Sequence, residues 1–150
     1  MKPESIFSHW EFVRKGLISV IKKFPDSDLS FRPYPESWPA GQIMVHIANA
    51  EEGWFRYVVT KEIEDWPKHL QFENYPAREK ILAILDSVHQ KTESYLVSLS
   101  EKDLSREIHT PWGESIPLQW IIWHVIEHEI HHRGELSLIL GLLGKEGLDV

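Results

Sequence analysis

The sequence predicts an all-α protein, a four-helix bundle with a long connection between its second and third helices, as one domain over residues 1–150. Three observations predict it. Four long segments repeat apolar residues at three- and four-residue spacing. Proline, glycine and short polar residues punctuate the chain between them. No stretch alternates apolar and polar residues convincingly enough to read as a strand.

The first helix is expected from about Ser5 to Phe24, where Phe7, Trp10, Phe12, Val13, Leu17, Val20 and Ile21 make the stripe. Pro25 and the acidic residues after it end the helix. Pro33 and Pro35 keep the next stretch extended. Ser37 is a suitable cap for the second helix and Pro39 suits its first turn; Ile43, Ala50, Trp54 and Tyr57 form the stripe. Residues 61–76 are the long connection, rich in charge and aromatics. After Pro76 the third helix carries Ile81, Leu85, Val88, Tyr95, Leu96 and Leu99. A second loop spans 100–116 and contains Pro111-Trp112-Gly113. Ser115 precedes the fourth helix, which runs to about Leu143 with Gly144 as its stop.

Composition narrows the function. Apolar residues make up 42% and charged residues 26%, ordinary for a folded domain and unlike a disordered chain. There are no cysteines, which excludes disulfides, thiolate-held zinc, iron–sulfur clusters and a thiol nucleophile of the chain's own. The net charge of −7 repels phosphate backbones and anionic lipid, so neither nucleic acid nor membrane is an expected partner. No apolar run is long enough to span a bilayer, and the residues from Met1 to Trp10 show no secretory signal; the expected compartment is the cytoplasm. Nine histidines and seven tryptophans stand out.

The histidines are densest in the fourth helix, between His124 and His132. With His128 at zero and about 100° per residue, Ile121, Val125, Leu136 and Ile139 centre the apolar stripe at about +50°. His132 then lies at about +40°, within the stripe, and His124 and His131 at about −40° and −60°, at its margin. His128 and His132 are therefore the inward pair, stacked one turn apart. His46 repeats the pattern on the second helix, between Ile43 and Ala50. If the two helices are neighbours, His46, His128 and His132 form a three-imidazole set suited to a divalent ion such as Zn²⁺ or Ni²⁺. Three protein ligands would leave a position open for water or substrate. The competing expectation is that such histidines are hydrogen-bonded core residues.

Other motifs overlap this run. His128-Glu129-Ile130-His131-His132 satisfies H-E-x-x-H, in which Glu129 would be the base of a zinc hydrolase. Only 18 residues follow His132 and none is a histidine, so Glu129 is instead expected on the helix flank, paired with Arg133. Glu129-x-x-His132 is half of a di-iron signature, and no second copy exists. His9, His69, His89 and His109 are expected on the surface. Ile122, Trp123, Ile126 and Ile130 give the fourth helix a second apolar face, which is either wrapped by the chain itself or pairs with another copy; a homodimer is expected.

Two blocks resemble the DinB/YfiT-like superfamily of metal-dependent bundle proteins. One is the segment from Arg32-Pro33-Tyr34-Pro35-Glu36-Ser37-Trp38-Pro39 to His46-Ile47-Ala48. The other is His124-Val125-Ile126-Glu127-His128-Glu129-Ile130-His131-His132-Arg133-Gly134-Glu135-Leu136. The resemblance implies a four-helix bundle with His46, His128 and His132 as metal ligands. Many members carry Gln where this chain has Glu135, which either orients a ligand, approaches the ion or reaches solvent. Family relatives include thiol-dependent S-transferases and isomerases. The resemblance thus implies a small-molecule substrate and a low-molecular-weight thiol as co-substrate, activated by the ion. A non-catalytic metal-binding or ligand-sequestering bundle is the alternative.

Overall fold

Helices form where apolar spacing and helix-end chemistry agree, and the computed structural model shows both at work over the residues it describes, 2–149. Met1 and Val150, the ends of the expected domain, lie outside them. The first expected helix is divided. Pro3 opens a single turn, α1 (Pro3–Ile6), and the chain leaves helical geometry at Phe7 before α2 (His9–Lys22) begins. The break turns Phe7 inward, edge-on to Trp123 with 5.3 Å between centroids. In α2, Glu11 in the first turn and Lys22 in the last match the helix dipole.

Ser37 does not cap the next helix. Its hydroxyl donates to the carbonyl of Tyr34 at 2.8 Å and closes the proline-rich turn, leaving Pro39 as the residue before α3 (Ala40–Glu52). The helix then widens into a π-helical stretch, Gly53–Val59. The long connection is laid along α3 and pinned there. Asn49 accepts the Trp66 indole N–H at 2.6 Å and donates to the Pro67 carbonyl at 2.8 Å, while Gln42 accepts the Phe72 amide at 3.0 Å. Two glycines admit the rings: a Cβ on Gly41 would meet Phe72 at 2.3 Å, and one on Gly53 would meet Trp66 at 2.5 Å.

The third long helix, α4 (Arg78–Ser98), starts where the Arg78 amide donates to Asp26 at 2.9 Å. The loop after it is not strand-free. β1 (Glu107–His109) and β2 (Ser115–Pro117) pair antiparallel with Ile108 opposite Ile116. Gly113, at φ 93°, lets the turn close, and the Thr110 amide donates to Glu114 at 2.8 Å. Strands this short give too little alternation to be read from sequence. The last helix, α5 (Leu118–Leu142), ends as expected just before Gly144, which takes φ 73°.

The four long helices bury two apolar clusters. One joins Leu17, Val20 and Ile21 to Met44, Leu85 and Leu136; the other joins Phe7, Trp10 and Val13 to Phe55, Leu96, Ile122 and Ile126. So part of the second apolar face of α5 is wrapped by the N-terminal helices of the same chain, while Trp123 and Ile130 stay half exposed. Helices α3 and α5 run antiparallel: His46 meets His128, and Trp54 meets His124 and Trp120. No helix of the described residues is long and apolar enough to cross a membrane.

Candidate metal centre

The stripe on α3 and the stripe on α5 face each other, so His46 is delivered to the i, i+4 pair on α5. His46 Nε2 lies 3.0 Å from His128 Nε2, and His132 Nε2 lies 3.1 Å from the same atom. The three rings meet edge to face, with centroids 4.4 to 5.0 Å apart. All three sequence candidates therefore converge.

Their surroundings oppose protonation of the rings. Burial, then the neighbouring His132 ring, lowers the His46 pKa to about 4. Burial, then His132 and His46, lowers that of His128 to about 3. Burial also lowers His132, against the opposing pull of Glu135. A neutral imidazole carries one N–H and one lone pair. The Nδ1–H of His132 is engaged by Glu135 Oε2 at 2.5 Å, which directs its Nε2 lone pair toward His128. His128 has one Nε2 to offer to two partners, so the three nitrogens cannot all be satisfied by one another.

A cation between them resolves that conflict. Tetrahedral zinc with bonds of 2.0–2.1 Å sets its ligand nitrogens about 3.3 Å apart, close to the spacing here. The donor set thus fits a divalent ion of borderline softness. Trp38 packs edge-on against the His46 ring, centroids 4.8 Å apart, and helps hold its orientation. Trp38 was not singled out in the sequence, though it stands eight residues before His46.

The remaining histidines divide. His9, His69 and His109 are exposed, as expected. His131 is exposed and loosely faces Glu135 at 3.9 Å. His124 stacks on Trp120 at 4.8 Å and 9°, one turn before His128. His89 is a correction: it is buried, with Nδ1 2.8 Å from Glu51 Oε1. The spacing on α4 carried the signal, since His89 stands four residues after Leu85 and seven before Leu96 on the buried stripe; the partner on α3 was not visible from α4 alone.

Glu129 is a second correction. It is buried and pairs with Arg14 of α2 at 2.7 Å and with the Trp10 indole at 2.8 Å, not with Arg133. Facing away from the imidazoles, it is poorly placed to serve as the base of an H-E-x-x-H hydrolase. Arg14 also bonds Glu51 at 2.6 Å. Burial raises the Glu51 carboxyl, but Arg14, His89 and Thr92 outweigh it and hold the pKa down at about 2. The signal was present: Arg14 sits between Trp10 and Leu17 on the buried stripe of α2. Arg14, Glu51, His89 and Glu129, one from each long helix, form a polar layer between the two apolar clusters.

Comparison with known proteins places this chain and its fold in a wider set. A sequence profile described as "DinB superfamily" matches residues 9–136. The Bacillus subtilis protein YrdA is 23% identical over 139 residues, covering 90% of this chain and 79% of its own. The crystal structure of the DinB-like protein YjoA from Bacillus subtilis superposes with a TM-score of 0.74 at 21% identity, covering 97% of this chain and 96% of that one. The mycothiol-dependent maleylpyruvate isomerase superposes with a TM-score of 0.63 at 14% identity, over 88% of this chain and 60% of that chain. At these identities the structural likenesses concern the fold.

Proposed function

The chain belongs to the DinB superfamily, and from that membership and its imidazole cluster we propose that it is a metal-dependent enzyme acting on small molecules. In this reading His46, His128 and His132 hold one divalent ion, zinc or nickel. The ion, when bound, supplies the Lewis acidity that makes a thiol or water nucleophilic at neutral pH. The chain has no cysteine, so a thiol nucleophile must come from a small co-substrate. The reaction proposed is transfer of that thiol, or of water, to a small electrophile, as in an S-transferase or isomerase.

The protein's own part is to hold and orient. Glu135 fixes the tautomer of His132 through Nδ1, leaving the Nε2 lone pair free to bind an ion. Trp38 braces His46. The Arg14 layer ties α2, α3, α4 and α5 together and so keeps His46 opposite His128. The observation that carries the reading is the meeting of three Nε2 atoms within about one coordination sphere. The fold shared with a mycothiol-dependent isomerase supports the choice of a thiol.

The test is metal analysis of untagged protein, followed by thiol-transfer assays with mycothiol, bacillithiol and glutathione in the loaded and chelated states. Metal-dependent turnover with one of them supports the reading. Tight metal binding without turnover on any thiol or hydrolytic substrate favours the non-catalytic, sequestering alternative.

A further inference from the structure

The groove between α3 and α5 opens on one side of the imidazoles into a cavity of about 430 Å³, within the range of small-molecule sites. His132 and Glu135 line it, so whatever enters it reaches one imidazole of the cluster. Tyr34, Trp38, Leu138 and Ile139 supply aromatic and aliphatic walls. Tyr34 is 62% exposed, Trp38 49% and Leu138 68%, more apolar surface than single scattered residues need.

The charge of the cavity is one-sided. Its lining includes two carboxylates, Glu36 and Glu135, and neither lysine nor arginine. Glu135 is engaged by His132, which leaves Glu36 at the rim as the freer charge. The whole chain carries −7, which adds to the same field. With the imidazoles metal-free, a carboxylate or phosphate entering here meets repulsion, and the nearby Arg32 guanidinium is spent on the Ser37 carbonyl. An ammonium group meets the free carboxylate of Glu36 beside the aromatic walls of Tyr34 and Trp38, rings of a kind that attract cations.

We propose that this cavity holds the organic part of the substrate, an apolar body bearing a protonated amine, and rejects its carboxylate counterparts. The assignment of that ligand as substrate rests on the reading of the imidazole cluster as the reaction centre; the charge preference does not. The substrate class is therefore an apolar amine whose reactive atom is directed toward His132.

Three probes of one shape test it: phenethylamine, phenethyl alcohol and hydrocinnamate, titrated into isotope-labelled full-length protein after chelation. Chelation matters because amines and carboxylates both bind metals directly. The expected result is movement of the amide signals of Tyr34, Leu138 and the Trp38 indole, with the amine about 3- to 10-fold tighter than the alcohol and the carboxylate weakest. Glu36→Gln should remove most of the amine's advantage and leave the alcohol unchanged. Leu138→Arg, at an exposed position that tolerates a charge, should turn the preference toward the carboxylate. Equal affinities, a carboxylate that binds tightest, signals that move elsewhere, or a second copy of the chain covering Tyr34 and Leu138 would each overturn the proposal. Repeating the titration after zinc loading separates the two readings. Amine preference with no metal uptake sinks the metal reading alone; metal uptake without amine preference sinks this one alone.

Discussion

Glu129 turns its carboxylate away from its neighbour His128 and takes the Arg14 guanidinium at 2.7 Å, in a site from which both are almost wholly screened from solvent. That contact decides two questions together. It removes Glu129 from the hydrolase role that its motif suggests, and it makes Arg14 the bridge between the long helices.

Removing Arg14 should therefore be costly. Arg14→Ala leaves the buried carboxylates of Glu51 and Glu129 facing each other with one cation gone. The expected loss is about 3–5 kcal/mol, the range for breaking a buried pair from one side. Urea denaturation followed by far-ultraviolet circular dichroism measures it, and a loss below about 1 kcal/mol would be that of an exposed pair.

Acid should unfold the protein partly through Glu51. Its folded pKa of about 2 lies below its ordinary value, so the unfolded state binds the proton more readily. The stabilisation is present above about pH 4.5 and is lost as pH falls toward about 2, amounting to about 3 kcal/mol. Arg14 and His89 hold this carboxyl down, whereas burial moves the neighbouring Glu129 up, so Glu129 does not add to this acid-side loss. Glu51→Gln should flatten the stability curve in that window, which urea midpoints collected at several pH values will show.

Glu135 should matter to the ion through His132. Glu135→Ala frees Nδ1 of His132 and should weaken divalent metal affinity about 10- to 100-fold, the usual cost of losing such a partner. Glu135→Gln keeps an acceptor at the same place and should retain most of the affinity. Competition with a chromophoric chelator gives both values.

The pinned connection has its own test. Gly53→Ala puts a methyl group where the Trp66 ring lies, and the ring is tied to Asn49. The expected cost is about 1–3 kcal/mol. A red shift of tryptophan emission should accompany it as Trp66 loosens, and unchanged emission with unchanged stability would contradict the packing described.

The parts of this molecule that were legible from sequence are those with a period. The apolar stripes mark the long helices, and His46, His128 and His132 stand out as imidazoles on those stripes. The connection was visible as a length, but its anchoring by Gly41, Asn49 and Gly53 was not, since it depends on rings arriving from 13 to 31 residues away. His89 and Glu129 were misplaced for one reason: each lies on the buried stripe of its own helix but is polar, and the charge that satisfies it there comes from another helix. The hairpin of 107–109 and 115–117 was too short to alternate visibly.

The most direct test of the central claim is anomalous diffraction from crystals of untagged protein grown with zinc, with data on both sides of the metal edge. The account predicts one peak per chain, about 2.0–2.1 Å from Nε2 of His46, His128 and His132. An empty space between these three rings at saturating zinc, or a peak held by other residues, would contradict it.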